Sequence, residues 1–387
     1  MPASIDHGDA ETWPIITADD EREVLRVLRS GEVSWHPVLG ELEDAYRDKL
    51  SVKHAVAHCN GTAALLAAFF AIDLQPGDEV IVPSATWWSS VSPMLWLGVT
   101  PVFADSELDR LGLDPADVEA KITPRTKAIV VVHLWGLPSK MTELLAIAKR
   151  HNLKIIEDAS HAHGVAWRSR PCGTLGDVAV FSLQGHKLAP AGEGGMFLTQ
   201  SDEYAERAAL LGDVVRIHAL PTPAKRFAAT SYGVKTRIAP MSAALALSQF
   251  RRLDETNAER NRNIRKLSAD LEPLGFDTFL GPDHVERVYF EFLVRNQTGV
   301  PTSTLIERLR ERGCHVRPAR YPLLHQQPFF TEGEAAKIAR RPLPDYASVS
   351  LPTVESAADE LMSLPSFHRA TDKLLEAYAA AFREAVK

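Results

Sequence analysis

The chain has 387 residues, 45% of them hydrophobic and 24% charged, a globular composition long enough for two or three domains. Its 43 basic and 50 acidic side chains leave a formal net charge of −7 with no dominant block of one sign, which argues against a nucleic-acid or membrane-surface footprint. The three cysteines, Cys59, Cys172 and Cys314, are far apart and in no CxxC spacing, so neither a disulfide scaffold nor a zinc ribbon is expected.

The N-terminus has early acids and no apolar h-region, unlike a signal peptide. The longest apolar run, residues 63–72, is far short of the roughly 20 residues that cross a bilayer. A soluble protein of the reducing cytoplasm, with no metal centre, is the expectation. Residues 17–30 and 40–50 read as amphipathic helices, with Asp19 available as a cap for the first. Short apolar runs then alternate with helical stretches. Strands are expected at 55–58, 79–83, 101–104, 127–133 and 153–157, and helices at 62–72, 89–97, 115–121 and 141–151. Continuous Val/Ile-rich runs separated by helices are the pattern of a mostly parallel sheet covered on both faces. Strands at 177–182 and 195–199 and a helical stretch over 240–271 follow. Beyond Gly275 a strand at 288–294, a helix at 303–312, a Pro-rich loop and a helix at 370–386 describe a smaller α+β domain. The chain thus divides into an α/β domain over 1–272 and an α+β domain over 273–387.

Four sheet edges carry the chemistry. The strand ending at Ser182 is followed five positions later by Lys187, then by the glycine-rich run Gly192-Glu193-Gly194-Gly195. Desolvation at a strand end lowers an amine's pKa, which suits a Schiff-base lysine, and the Ser182 hydroxyl can bond a phosphate oxygen. Asp158 ends another apolar strand and can pair with a cationic ring nitrogen; a helix-cap aspartate is the plain alternative. His161 lies just beyond it, with a satisfied core histidine as its ordinary reading. Cys59-Asn60-Gly61-Thr62-Ala63 forms a strand-to-helix junction whose free amides and dipole favour a phosphate, or it is simply a cap. Trp87 and Trp88 follow a fourth strand, where an indole can stack on a flat ring or fill the core. A pyridine ring with an aldehyde and a phosphate needs all four parts.

With these residues in place, the sequence resembles the DegT/DnrJ/EryC1/StrS sugar aminotransferases, pyridoxal 5′-phosphate (PLP) enzymes of fold type I. The resemblance runs through Gly77–Pro83, residues 123–129, Glu157-Asp158, His163-Gly164, Phe181-Ser182, Lys187, residues 192–195, Tyr321-Pro322 and His325. It implies that Lys187 carries the cofactor as a Schiff base and shuttles protons. Asp158 would hold the ring nitrogen, His161 contact the ring's 3-oxygen, and Trp87 stack on the ring. Gly61, Thr62, Ala63 and Ser182 would bind the phosphate. The family's Gly-x-Asn-x-Arg segment, whose Asn reaches the neighbouring subunit's phosphate, reads Gly233-Val234-Lys235-Thr236-Arg237 here, so Lys235 takes that place. A dehydratase branch replaces the Schiff-base lysine by histidine; the spacing from Ser182 selects Lys187 over His186. The implied reaction is a ping-pong transfer from L-glutamate or L-glutamine to a keto sugar or keto cyclitol in a homodimer, with Trp35, His36, Tyr321 and His325 lining the acceptor pocket. An aromatising dehydratase of the same family and a non-catalytic PLP-fold regulator are the alternatives.

Overall fold

The structure, a computed structural model, describes residues 5–212, 214–281, 285–319 and 321–387. Helix α1 (Ala18–Ser30) opens on a capping box between Thr17 and Asp20, not on Asp19: the Thr17 side chain accepts from the Asp20 amide and Asp20 accepts from the Thr17 amide. Helix α2 (Val38–Leu50) precedes β1 (His54–His58), which runs into α3 (Gly61–Ala71). Strands β2 (Glu79–Pro83) and β3 (Thr100–Ala104), helix α4 (Pro115–Ala120), strand β4 (Thr126–Val132), helix α5 (Met141–His151) and strand β5 (Lys154–Asp158) continue the alternation. The expected helix over 89–97 is instead two 3-10 turns, Trp88–Ser90 and Ser92–Leu97. Pro93 lacks the amide that a continuous α-helix would use there. A small ribbon, β6 (Ala166–Trp167) and β7 (Arg170–Pro171), leads to β8 (Val178–Ser182) and β9 (Gly195–Thr199). Helices α6 (Asp202–Gly212), α7 (Val214–Ala219), α8 (Pro240–Arg251) and α9 (Leu253–Leu271) follow, the last two separated at Arg252.

The main sheet has seven strands in the order β1-β9-β8-β5-β4-β2-β3. All point one way except β9, which is antiparallel to both neighbours. The middle strands are buried over most of their length and apolar at their centres, as a sheet covered on both faces requires. Parallel strands joined by helices put every strand's carboxyl end along one edge, where open α/β sheets bind ligands.

The remainder comprises β10 (Phe276–Asp277), β11 (Val285–Glu286), β12 (Phe292–Asn296), α10 (Thr302–Glu311), β13 (Arg317–Pro318), α11 (Pro328–Thr331), α12 (Glu334–Ala339), α13 (Pro352–Glu360), β14 (Leu361–Leu364) and α14 (Asp372–Ala385). A four-stranded sheet, β10-β12-β14-β13, packs with α9, α10 and α14 around Phe276, Phe292, Phe367, Tyr378 and Phe382. The two cores do not separate at one point of the chain. Ile264, Leu267 and Leu271 of α9 belong to the smaller core, while Tyr321, Leu324, Phe330 and Tyr346 pack into the larger. The strand expected at 288–294 pairs only from Phe292 onward, because the Val288 amide donates to the Gly136 carbonyl at 3.3 Å instead of to a ladder. That detour carries Phe290 toward the edge of the main sheet. Among the described residues no helix is long and apolar enough to cross a membrane.

Candidate active site

A cavity of about 720 Å³ opens at the carboxyl ends of β1, β2, β4, β5 and β8. Gly61, Thr62, Trp87, Asp158, His161, Ser182, Lys187 and Tyr321, all singled out in the sequence, line it together.

Asp158 is the last residue of β5 and 95% buried. Its Oδ2 accepts from the Ser90 hydroxyl at 2.6 Å and its Oδ1 from the Ser160 amide at 3.1 Å. Thr86 Oγ1 lies 2.9 Å from Ser90 Oγ, which fixes the serine in turn. The strand itself is anchored by the preceding Glu157, whose fully buried carboxylate accepts four bonds. They come from His133 Nε2 and the Gly173, Leu175 and Gly176 amides, at 2.6–2.9 Å. A buried carboxylate so fully paired is a stable post, and it fixes where Asp158 points.

Helix α3 supplies the amide-rich wall. Asn60 caps it, its Oδ1 accepting from the Ala63 amide at 2.8 Å. The cap therefore uses the Ala63 donor that the sequence assigned to a phosphate, and the first-turn amides of Gly61 and Thr62 are the ones left to a ligand. A Cβ at Gly61 would lie 2.9 Å from Ser182 Cβ, so only glycine lets the helix start this close to the end of β8. Thr62 Oγ1 lies 2.8 Å from Ser89 Oγ, linking the helix to the 3-10 turn that carries Ser90.

Lys187 stands in the loop between β8 and β9, its amide donating to the Gln184 carbonyl at 2.8 Å. Its Nζ lies 4.5 Å from the centre of the Phe290 ring. His163, beneath it, is held neutral: burial and then the Lys187 charge lower its pKa from 6.5 to about 3, and its Nε2 meets the Tyr46 hydroxyl at 2.8 Å. His161 is clamped between Phe290, stacked at 3.9 Å, and Tyr321, whose hydroxyl is 3.3 Å from Nε2. Its Nδ1 accepts from the Trp135 amide at 3.2 Å, so a neutral ring carries its proton on Nε2. Trp87, half-exposed, overhangs the cavity within 6.1 Å of the Tyr321 ring. Trp88 lines the same wall, so position alone does not choose between the two indoles.

Three expected pocket residues lie elsewhere. His325 is fully buried, with Nδ1 on the Ser84 hydroxyl at 2.6 Å and Nε2 on Glu355 at 3.0 Å; it ties the loop after β2 to α13. His36 is buried and accepts from the Val38 amide at the start of α2, while Trp35 is half-exposed; neither lines the cavity. Lys235 is exposed and also outside it, in a segment whose Arg237 bridges to His58 at the end of β1. The sequence reading missed Asn60, Ser89, Ser90 and Phe290. Asn60 was legible as a cap; the serines fell in the segment read as a helix over 89–97 and Phe290 in the one read as a strand over 288–294, and neither pattern marks a residue of the site.

Comparison with known proteins identifies the family. A model of the DegT/DnrJ/EryC1/StrS aminotransferase family matches residues 14–383. GDP-perosamine synthase of Caulobacter vibrioides is 38% identical over 320 residues, 80% of this chain and 84% of that protein. Two solved structures superpose over nearly the whole chain. 3-Amino-5-hydroxybenzoic acid synthase is 29% identical with a TM-score of 0.83, covering 97% of this chain and 98% of that one. DesI, solved in the presence of its TDP-sugar product, is 31% identical with a TM-score of 0.81, covering 100% and 94%. A match of this extent settles the family: the chain is an aminotransferase belonging to the DegT/DnrJ/EryC1/StrS group.

Proposed function

We propose that the chain is a PLP enzyme that moves an amino group from L-glutamate or L-glutamine to a nucleotide-linked keto sugar or a keto cyclitol, in two half-reactions at one site. The observation that carries this reading is the meeting of Lys187, the buried Asp158 and the uncapped first-turn amides of α3 in one cavity. Those residues fit the cofactor. Gly61, where a Cβ would collide with Ser182, leaves a cradle for a phosphate beside the Thr62 and Ser182 hydroxyls. Asp158 suits a pyridinium nitrogen, His161 Nε2 can donate to a phenolic oxygen, and an indole after β2 offers a stacking face.

When bound, the cofactor supplies an electron sink for the carbon that loses its proton. The chain's own residues do the rest. The Asp158 carboxylate, oriented by Ser90 and the Ser160 amide, stabilises positive charge on the ring nitrogen. The Lys187 amine moves the proton at the substrate carbon, and Phe290 and Trp87 exclude water around it. The sugar acceptor is supported by relatives named for GDP-perosamine and for a TDP-sugar product. The cavity volume lies within the usual range for ligand pockets. We further propose a homodimer in which Lys235, exposed and unused by its own cavity, reaches the phosphate site of the other chain. The likeness to 3-amino-5-hydroxybenzoic acid synthase favours an aromatising dehydration as the second reading.

Borohydride reduction of the PLP-loaded protein, followed by peptide mapping, tests the assignment. The label is expected on the peptide holding Lys187, and Lys187→Ala is expected to lose the label and about 10²–10⁴-fold or more in turnover. A label on another peptide overturns the reading. A product absorbing as an aromatic amine, in place of an aminated sugar, selects the second one.

A further inference from the structure

Before α1 begins, the N-terminal segment passes from the smaller core to the larger. On the first side, Ala10 is buried in the smaller core and Ile5 packs against it. His7 Nε2 meets the Gly313 carbonyl at 2.9 Å, and Glu11 Oε1 lies 2.7 Å from His315 Nδ1. On the second side, the Ile15 carbonyl accepts from Gln249 Nε2 at 3.0 Å and from Arg252 Nη2 at 3.1 Å. Trp13 stands at the crossing, and its indole N–H donates to the Lys187 carbonyl at 3.0 Å. Two buried side chains clamp the ring: the Arg260 guanidinium lies over it at 4.6 Å, and the His368 ring meets it edge-on at 5.0 Å. His368 Nε2 is itself hydrogen-bonded to the neighbouring Thr12 carbonyl. In the loop that carries Lys187 the amides turn inward. Gly185 donates to the Gly192 carbonyl at 2.9 Å, His186 to the Gln184 side chain at 2.9 Å and Lys187 to the Gln184 carbonyl at 2.8 Å. The Lys187 carbonyl turns outward, to a ring 174 positions away in the chain.

We propose that Trp13 is a positioning residue for Lys187. Its indole N–H, held between Arg260 and His368, fixes the lysine's backbone and so the place from which the amine moves the proton. The inference rests on the amino-transfer reading above and adds what aims the lysine. An indole in a packed site needs an acceptor for its N–H, and for stability alone many acceptors serve equally well. Here the acceptor is the backbone of the residue that moves the proton, so the bond bears on the reaction as well as on the fold. Magnitudes separate the two effects. One neutral hydrogen bond shifts a folding equilibrium by about two- to ten-fold, whereas a reacting group displaced by about 1 Å can lose about 10²-fold in rate.

The test uses PLP-loaded protein at pH 8, where an imidazole is neutral, and two substitutions that divide the indole's properties. Trp13→Phe keeps an aromatic face for Arg260 and removes the N–H. Trp13→His gives up the benzo ring but puts Nε2–H where the indole has its N–H, because that nitrogen stands two ring bonds from the attachment carbon in both. The first readout is the rate at which saturating L-glutamate bleaches the lysine-bound cofactor's visible absorbance, with the half-saturating concentration beside it. The second is the pH midpoint of that absorbance with no donor present. Trp13→Phe is expected to slow bleaching about 10- to 100-fold, with half-saturation within about three-fold of wild type. Its pH midpoint should move by about 0.5 unit or more, since the displaced amine meets a different field. Trp13→His is expected to recover a rate within about five-fold of wild type, although it loses more packed area and melts lower than Trp13→Phe. A role in packing alone reverses that order. Bleaching in Trp13→His as slow as in Trp13→Phe or slower, or a Trp13→Phe protein equal to wild type in rate and midpoint, overturns the proposal. Should Trp13→Phe fail to take up PLP, Trp13→His decides alone: a rate within about five-fold of wild type supports the proposal and a larger loss overturns it. A wild-type protein that glutamate and glutamine both fail to bleach contradicts the amino-transfer reading itself, while the pH midpoint, read without a donor, still tests Trp13.

Discussion

Asp158 and Ser90 show how a strand-end residue is made useful by one that no periodicity marks. The Ser90 hydroxyl donates to Asp158 at 2.6 Å from a 3-10 turn and itself meets Thr86. A hydrogen bond to a charged group contributes about 1.5–3 kcal/mol. Ser90→Ala is therefore expected to lower turnover about ten-fold or more, while Asp158→Asn, which removes the charge itself, costs more; single-turnover kinetics of the donor half-reaction would show the order. A Ser90→Ala rate equal to wild type would mean that Asp158 needs no help in holding its orientation. Asp158 and Ser182 were legible as candidates because polar residues at the ends of apolar strands are unusual on physical grounds, and Lys187 because it follows such an end by five positions and precedes a glycine-rich run. Ser90 was not, since its segment read as the start of a helix over 89–97, and only the folded chain shows a 3-10 turn that brings its hydroxyl to Asp158. Nor was the role of His325: the sequence shows a histidine in a loop, but only the folded chain shows both ring nitrogens spent on Ser84 and Glu355.

The elements were more readable than the residues, and for a related reason. Val/Ile runs of strand length fix β2, β4, β5 and β8, and their carboxyl ends fix the site. What pattern alone does not give is the close approach between elements. The start of α3 touches the end of β8 at Gly61, where a Cβ would sit 2.9 Å from Ser182 Cβ and 3.2 Å from its Oγ. Gly61→Ala must push one of the two away, and the same shift opens the space offered to a phosphate. Such overpacking costs about 1–3 kcal/mol. The expected outcome is a rise of ten-fold or more in the dissociation constant of PLP, read by absorbance titration, with a smaller loss in thermal midpoint. Wild-type affinity in Gly61→Ala would place the phosphate elsewhere. The smaller sheet was harder to read, because β10 and β13 are two residues each and Phe290 lies in the irregular stretch before β12.

At the scale of the whole molecule, three buried histidines make stability depend on pH. His58 and His163 have pKa values lowered from 6.5 to about 3, and His368 to about 4, in each case first by burial. They lie in separate places: at the end of β1 on Thr236, below Lys187 on Tyr46, and against the N-terminal segment on the Thr12 carbonyl. The unfolded chain protonates these side chains near pH 6.5, whereas the native protein keeps them neutral down to about pH 4 or 3. Between those limits the unfolded state binds more protons, so stability rises with pH. The contribution is complete above pH 6.5 and is lost as the pH falls toward 4, at up to about 1.4 kcal/mol per pH unit for each histidine. The thermal midpoint should accordingly be flat from pH 8 to 7 and fall steeply from pH 6 to 4.5. His163→Asn removes one of the three titrating groups, so its midpoint, lower at pH 7.5, should fall with a slope shallower by about a third. A wild-type midpoint that stays constant or rises on acidification would mean that these rings take up protons inside the folded protein, and that burial does not hold them neutral.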